Sequence, residues 1–301
     1  MRRRLISLSL LASVLGACAT APGGRPETAA RTCPGSADLP MIKYDGVRPA
    51  VEVMVNGRGP YLFLIDTGAA GQMRADTSLV ERLGLPVLGD IEISDGSSAP
   101  DRAVKNVGID SLGIGPLVFR GLSGPSRSYN GSGPGRKIDG IIGFDLLSDC
   151  LLTLDYARNR VVIAPGSLSR SDRDVIPFDR ASGSPGVTMM IGRHRVQADV
   201  DSGSDQRFNL PASLANRITL TGPLRLTGHA RAANIRYAIN AAPIAETIRI
   251  GRLEWPAPEI EMTEAFELVN IGSGVLGDVS LTFDQRQGLV RLTRPGRRQR
   301  R

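Results

Sequence analysis

The sequence predicts an all-β protein with short helices and two similar halves, and three observations support this prediction. The 301 residues include 35 Gly and 20 Pro, which break the chain into short segments separated by turns. Hydrophobic residues make up 41% of the chain and charged residues 22%, the balance of a soluble globular protein. The third observation is an internal repeat, in which segments of the first half recur in the same order in the second half.

The repeat centres on two Asp-Thr/Ser-Gly tripeptides, which begin at Asp66 and Asp201 and lie 135 positions apart. In each half an apolar strand turns at a glycine, and a second strand runs into the aspartate. Tripeptides of this kind are common in turns, so one alone has little meaning. Two in the same register, each followed by an apolar-apolar-Gly segment, indicate a duplicated unit.

Segments further along the chain extend the repeat. A short helical stretch follows each tripeptide, and residues 112–115 match residues 248–251. The apolar-apolar-Gly segment at residues 141–143 is matched with residues 275–277, and closing strands follow in both halves. The chain therefore divides into a first lobe at 38–164, a linker at 165–174 and a second lobe at 175–293.

The N-terminal residues 1–17 have the layout of a secretory signal, with three arginines before an apolar stretch too short to span a bilayer. The segment ends Leu-Gly-Ala before Cys18 and resembles the lipobox of bacterial lipoproteins. That resemblance implies lipidation of Cys18; an ordinary signal with an incidental cysteine is the alternative. Residues 18–37 are predicted to be a flexible tether, and residues 294–301 a basic tail.

The position after the lipobox cysteine predicts where the protein is held. It is Ala19, not the aspartate that commonly retains lipoproteins at the inner membrane. We therefore expect a lipid anchor on the periplasmic side of the cell envelope, with the outer membrane preferred.

Two cysteines remain if Cys18 carries lipid, namely Cys33 and Cys150. Disulfides persist outside the cytoplasm, so one bridge between them is possible there. The sequence leaves open whether they are bridged or remain two thiols, because spacing does not show proximity.

The net charge of +7 does not indicate a nucleic-acid partner. Three positive charges lie in the signal, others crowd the C-terminal tail, and the rest are dispersed without interleaved aromatic residues. The two histidines are too few for most zinc sites, so we expect no metal and no cofactor. Residues 272–277 formally match a dinucleotide fingerprint, but they lie within the repeat and run into a strand instead of a helix.

The paired tripeptides and the apolar-apolar-Gly segments resemble the retropepsin-like and pepsin-like aspartic proteases over nearly the whole chain after the signal. The resemblance implies two acid-protease-type β-barrel lobes in one monomeric chain, with an active-site cleft between them. It implies that Asp66 and Asp201 are the catalytic residues. It also implies supporting residues in the catalytic loops, which are Thr67, Gly68, Ser202, Gly203 and Ser204.

The chemistry of that family explains the two aspartates. Two carboxyl groups about 3 Å apart share one proton, because both cannot ionise cheaply. The ionised group activates a water, and the protonated group hydrogen-bonds the peptide carbonyl. If the loops have the family's shape, the Ser204 hydroxyl can donate to Asp201, whereas Ala69 cannot help Asp66. We therefore expect Asp201 to be the ionised base and Asp66 to carry the proton.

Members of the family close a β-hairpin flap over the substrate. The best candidate for its tip is Asp95-Gly96-Ser97, between extended segments at 91–94 and 102–107. In the second lobe, residues 224–235 form a possible hairpin with its turn at residues 227–228. We find no clear counterpart of the flap tyrosine of pepsins, because Tyr129 lies too far along the chain.

The resemblance implies an aspartic endopeptidase that hydrolyses a peptide or protein substrate outside the cytoplasm. The alternative is a catalytically inactive lipoprotein of the same fold that binds extended peptides in the cleft. Both tripeptides are complete in this sequence, and this favours the enzyme.

Overall fold

The computed structural model describes residues 32–94, 97, 100–130, 136–231 and 235–294. The signal, Cys18 and the tail beyond residue 294 lie outside the described residues, as do Asp95 and Gly96. Among the described residues, no helix has the length and apolar character needed to cross a membrane.

The predicted all-β fold with short helices is confirmed. The strands of the first half are β1 (Ala37–Pro40), β2 (Ile42–Tyr44), β3 (Arg48–Val55), β4 (Arg58–Asp66), β5 (Met73–Asp76), β6 (Val87–Ile93), β7 (Arg102–Ile114), β8 (Leu117–Arg127), β9 (Gly140–Gly143), β10 (Leu151–Asp155) and β11 (Arg160–Ala164). Its helices are α1 (Thr77–Leu83) and the 3-10 helix Phe144–Leu147.

The second half repeats this order with shorter pieces. Its strands are β12 (Val175–Asp179), β13 (Gly186–Ile191), β14 (His194–Asp201), β15 (Phe208–Pro211), β16 (Arg225–Arg231), β17 (Arg236–Pro243), β18 (Ile248–Ile250), β19 (Leu253–Trp255), β20 (Glu259–Thr263), β21 (Val269–Gly272), β22 (Ser280–Asp284) and β23 (Leu289–Thr293). Its 3-10 helices are Ala212–Arg217 and Ser273–Val275.

The first lobe is a closed barrel. Its strands follow the order β3-β4-β9-β5-β8-β7, and β7 pairs back onto β3, which closes the ring. The β4–β9 and β5–β8 pairs are parallel, and the other pairs are antiparallel. Alternate residues of β3 are buried inside this barrel, as the period of a half-buried strand requires.

The second lobe has the same strand order, β13-β14-β21-β15-β20-β17, but its long strands are interrupted. The equivalent of β7 is split into β17 and β18, and the equivalent of β8 is split into β19 and β20. Prolines stand at these breaks, at Pro243, Pro256 and Pro258. Proline lacks the N–H that a central ladder needs, which explains why the strands break there.

A six-stranded antiparallel sheet, β1-β11-β10-β22-β23-β12, joins the two lobes. Its centre is the β10–β22 pair, in which the hydroxyls of Thr153 and Thr282 lie 2.8 Å apart. Against it pack three phenylalanine rings, tilted or edge to face, with centroids 5.3–6.1 Å apart: Phe144 from the first lobe and Phe178 and Phe283 from the second. The chain has few aromatics, and it concentrates three of them where the lobes meet.

The structure bridges Cys33 and Cys150, which the sequence left open. Their Cα atoms lie 4.9 Å apart, within the range that a disulfide needs. The bridge joins the segment before β1 to the segment after the 3-10 helix Phe144–Leu147.

The structure corrects the predicted register of the repeat after the tripeptides. In the first lobe Asp66 pairs with Gly143, and in the second lobe Asp201 pairs with Gly272. The counterpart of the segment ending at Gly143 is therefore residues 270–272, and the predicted match with residues 275–277 was wrong. The separation between the halves falls from 135 at the tripeptides to 129 at the closing strands.

The two flap candidates were predicted in part as hairpins. Strands β6 and β7 pair as a hairpin, and Ser97 lies in the connection between them. In the second lobe, residues 227–228 lie inside β16, at a bulge, and not at the tip of the β16–β17 hairpin. The predicted turn at these two residues was wrong.

Candidate active site

Each aspartate stands at the end of a strand whose parallel neighbour presents a glycine. A Cβ atom on Gly143 would lie 2.3 Å from the carbonyl oxygen of Gly71, and one on Gly272 would lie 2.2 Å from that of Gln206. No side chain fits at these two positions. Each loop after the aspartate can therefore fold back over the adjacent strand end, which brings its carboxyl toward the other lobe.

Thr67 and Ser202 connect the two loops through four reciprocal hydrogen bonds, which we call the clasp. The Thr67 N–H donates to Ser202 Oγ and the Ser202 N–H donates to Thr67 Oγ1, each over 3.0 Å. The Thr67 hydroxyl in turn donates to the Val200 carbonyl (2.6 Å) and the Ser202 hydroxyl to the Ile65 carbonyl (2.7 Å). Both residues are 0% exposed, so water cannot replace these bonds.

The clasp places the two carboxyl groups side by side. A Cβ atom on Gly68 would lie 2.6 Å from Cγ of Asp201, and one on Gly203 would lie 2.2 Å from Cγ of Asp66. Each loop glycine thus leaves room for the aspartate of the opposite lobe. Gly68 and Gly203 are required by this approach, since any side chain would overlap a carboxyl.

The electrostatics of the pair favour one shared proton. Burial, the neighbouring charge of Asp201 and a hydrogen bond to it together raise the pKa of Asp66 from 3.8 to about 7. The charge of Arg74 and the Gly68 N–H act in the opposite direction. Asp66 is therefore protonated over a pH range in which an ordinary aspartate is ionised.

The hydrogen bonds to Asp201 differ from those that the sequence suggested. Its Oδ1 accepts from the backbone N–H groups of Gly203 (2.9 Å) and Ser204 (3.2 Å), and its Oδ2 accepts from Nδ2 of Asn270 (3.0 Å). The Ser204 hydroxyl was expected to donate to Asp201, but its oxygen instead accepts from the backbone N–H of Gln206. The Ser204 hydroxyl is therefore not the donor to Asp201 that the sequence predicted.

Sequence reasoning missed Asn270 because of the incorrect register. Asn270 is the counterpart of Ile141 in the first lobe, and each lies two residues before the glycine that pairs with the aspartate. A search for two apolar residues before glycine passes over Asn-Ile-Gly and finds residues 275–277 instead. The closing strands of the two halves are six residues closer in sequence than the tripeptides are. Applying that shorter separation to residues 141–143 would have pointed to residues 270–272.

Side chains from each lobe also hold the loop of the other lobe. Arg48 Nη1 donates to the Gly203 carbonyl (3.3 Å), and the Ser184 hydroxyl donates to the Gly68 carbonyl (3.4 Å). Arg48 is the first residue of β3 and Ser184 lies two residues before β13, so the two occupy comparable positions in their lobes. Neither was predicted, because no motif marks them.

A second pair of cross-lobe contacts lies below the loops. Tyr156 from the first lobe meets Ser273 with its hydroxyl at 2.9 Å, and the Ser273 hydroxyl donates to the Ser202 carbonyl at 2.8 Å. Gln285, the counterpart of Tyr156, donates to the Phe144 carbonyl at 2.6 Å. These bonds tie the loop bases to the sheet that joins the lobes.

Tyr129 lies on the first-lobe side of the site. Burial raises its pKa to about 12, the positive charges of Arg74 and Arg127 lower it, and the charge of Asp66 raises it. The ring of Tyr129 lies under the Arg127 guanidinium at 5.8 Å. This tyrosine therefore belongs to the surroundings of Asp66, although its place in the sequence did not suggest a role there.

The described residues contain no group of three or more His, Cys, Asp and Glu side chains placed to hold a metal ion. The lone acidic residues near the loops have structural contacts. Asp145, for example, accepts from the Gly71 N–H at 2.7 Å and pairs with Arg180.

Comparison with known proteins gives a family match over part of the chain and a structure of similar fold. A model of the aspartyl protease family matches residues 51–146, which include Asp66 and the whole of β9. The structure resembles that of an aspartic proteinase from Irpex lacteus with a TM-score of 0.53 and 13% sequence identity, over 87% of this chain and 98% of that chain. No match is found among curated proteins.

The fold is that of an aspartic proteinase. Together with the match over the first lobe, it supports an aspartic-protease-like family. The family match ends before the second lobe, so the placement of Asp201 opposite Asp66 rests on the geometry described above.

The clasp predicts a measurable loss of stability when its hydroxyl is removed. Thr67→Val leaves the Ser202 N–H and the Val200 carbonyl buried without a partner, so we expect the free energy of unfolding to fall by about 1–3 kcal/mol. Thr67→Ser keeps the hydroxyl and serves as the matched control with a smaller loss. Chemical denaturation of both variants checks this, and equal stabilities would contradict the importance of the clasp.

The raised pKa of Asp66 predicts how stability depends on pH. The folded carboxyl keeps its proton up to about pH 7, whereas the unfolded one loses it near its ordinary value of 3.8. Its stabilising contribution is therefore present below about pH 4 and is lost as the pH rises toward 7. Asp66→Asn has no proton to lose there, so its melting temperature should change less between pH 4 and 7 and exceed that of the wild type at pH 8.

Melting curves at pH 4, 6 and 8 test this expectation. Asp110→Asn, at an exposed position of β7, is the control and should follow the wild type. Parallel curves for Asp66→Asn and the wild type would show that Asp66 is not held in its protonated form.

Proposed function

We propose that this protein is an aspartic endopeptidase in which Asp66 and Asp201 activate water to hydrolyse peptide bonds. The observation that carries the proposal is the side-by-side placement of the two carboxyls on the loops that the clasp joins, with the pKa of one raised to about 7 by burial and by the other's charge. The aspartic-protease-like fold and the first-lobe family match support the same conclusion.

The asymmetry of the pair assigns the two chemical roles. Asp201 accepts hydrogen bonds from three donors and acts as the ionised base, which takes a proton from a water lying between the carboxyls. The water oxygen bonds to the peptide carbonyl carbon while Asp66 gives its proton to the carbonyl oxygen, which forms a neutral tetrahedral diol. Asp201 then returns its proton to the leaving nitrogen, the C–N bond breaks, and Asp66 recovers a proton from the diol.

The cellular setting is part of the proposal. A lipid on Cys18 would anchor the protein on the periplasmic side of the envelope, preferably at the outer membrane, with the substrate reaching the site between the lobes. Both catalytic loops come from one chain and are joined by the clasp, so a monomer suffices for the reaction. The peptide or protein substrate would bind in extended form across the two loops.

Substitution of either aspartate tests the activity. We expect Asp66→Asn and Asp201→Asn each to reduce hydrolysis of a peptide library by at least about 10²- to 10⁴-fold, because neither an acid nor a base can be spared. The double variant should lose little more than either single variant, since the two groups act as a unit. Asp110→Asn is the control, and a pepstatin-type inhibitor should block the wild type.

Substantial activity in either single variant would contradict the proposal. Inactive wild-type protein that still binds peptides, with affinity unchanged by Asp66→Asn, would favour the inactive binding lipoprotein. These two results differ in whether the wild type cleaves any peptide.

Replacement of Cys18 tests the anchor separately from the chemistry. Cys18→Ser should prevent lipidation, so that any processed protein is released in soluble form with its hydrolytic activity intact. Labelled palmitate and membrane fractionation measure this, with Cys33→Ser as the control that keeps the anchor. Processing that is insensitive to globomycin, together with no incorporation of palmitate, would contradict it.

A further inference from the structure

We propose that Asn270 is a positioning residue that keeps Asp201 as the ionised member of the pair. The kinetic test of this inference rests on the proposed function, whereas its test by NMR does not. It assigns the choice of base to one amide on the strand beside Asp201.

The position of Asn270 in the sheet aims its side chain at the carboxyl. Strand β21 runs parallel to β14, with Asn270 opposite Asp199 and Gly272 opposite Asp201. From there Nδ2 of Asn270 donates to Oδ2 of Asp201 over 3.0 Å. The two backbone N–H groups donate to the other oxygen, Oδ1, so the amide of Asn270 and the backbone donors act on different oxygens of the carboxyl.

The first lobe has no counterpart to this bond. The equivalent residue is Ile141, whose side chain cannot donate a hydrogen bond. Oδ1 of Asp66 is buried and has no hydrogen-bond partner among the described residues. The amide is therefore one difference between the two aspartates, beside the charge of Arg74 and the backbone N–H of Gly68 that act on Asp66.

The side chain of Asn270 has an unfavourable contact as well as a favourable one. Its Oδ1 is buried without a hydrogen-bond partner among the described residues, and an unsatisfied buried carbonyl is unfavourable. An isoleucine or leucine, as in the first lobe, would avoid this cost. The bond to Asp201 is what the asparagine provides in return.

Apart from the hydrogen bond that Asp66 shares with Asp201, the other charged and titratable groups around Asp201 in the described part of the chain do not give it a side-chain donor. Asp66 faces it from the first lobe, and Asp199 lies two residues earlier on β14 with its Oδ1 held by the Ser182 hydroxyl. The hydroxyl of Tyr156 is bonded to Ser273.

Two further groups lie around the loop of Asp201. The hydroxyl of Tyr237 accepts from Gln206, and the guanidinium of Arg48 donates to the Gly203 carbonyl. Removal of Asn270 should therefore leave Oδ2 with the acidic neighbours and without its amide donor.

The kinetic test is the pH dependence of kcat/KM in Asn270→Leu. Without the amide, protonation of the base should occur more easily, so the acid limb should move upward by about one pH unit. At a pH below the limb this is about a tenfold loss, while the alkaline limb stays in place. Asn270→Asp, which puts a carboxyl where the amide was, should move the acid limb at least as far.

The matched control is Asn209→Leu. Asn209 lies opposite Asn270 on the neighbouring strand β15 and is buried, but it donates to the side chain of Gln206 and not to either carboxyl. Its loss should lower the melting temperature and leave the acid limb unmoved. A shift of equal size in Asn209→Leu and Asn270→Leu would assign the effect to general destabilisation and overturn the proposal.

A measurement without turnover separates this inference from the proposed function. Carbon-13 NMR of the aspartate carboxyls follows the first ionisation of the pair, whose midpoint should rise by about one pH unit in Asn270→Leu and stay in place in Asn209→Leu. This result with an inactive wild type would support Asn270 and contradict the protease. An unchanged midpoint and an unchanged acid limb in folded Asn270→Leu would overturn the role of Asn270.

Discussion

The clasp between Thr67 and Ser202 is the constraint on which the arrangement of the site depends. Two buried carboxyls repel each other when both are ionised, and burial makes that repulsion more costly. The lobes would move apart unless something held the loops together. Four short hydrogen bonds, all inside the protein, do this without using the carboxyls themselves. The aspartates are thus left free to hold a proton or to accept one.

The clasp in turn depends on what lies beneath it. The continuous β10–β22 pair fixes the distance between the lobes, and Tyr156 links this sheet to the second loop through Ser273. Gln285 provides the corresponding link to the first lobe through the Phe144 carbonyl. The three packed phenylalanines come from both lobes, so a shift of one lobe would separate rings that are in contact. The position of the carboxyls is therefore fixed by the packing of the sheet and the phenylalanines that join the lobes, and not by the loops alone.

The sequence was sufficient to predict the fold class and the pair Asp66 and Asp201, because a duplicated tripeptide survives in both halves. It was insufficient for the strand beside Asp201, since the second half is six residues shorter there and the segment at 270–272 begins with a polar residue. The Ser204 hydroxyl was assigned to Asp201 by chemical type alone, and only the loop's conformation shows that its backbone N–H makes that contact. Local motifs identify the groups, whereas the donors around them depend on register.

A duplicated fold tends to make its two aspartates equivalent, yet the chemistry needs one acid and one base. Features that both lobes share cannot supply the difference. The clasp, the loop glycines and the cross-lobe contacts each have one member from the first lobe and one from the second. The difference must come from a position where the repeat has diverged, and such a position is most effective within hydrogen-bond distance of a carboxyl. Asn270, the counterpart of Ile141 in the first lobe, meets both conditions. In the proposed mechanism, divergence at this one strand position would give two identical side chains different roles.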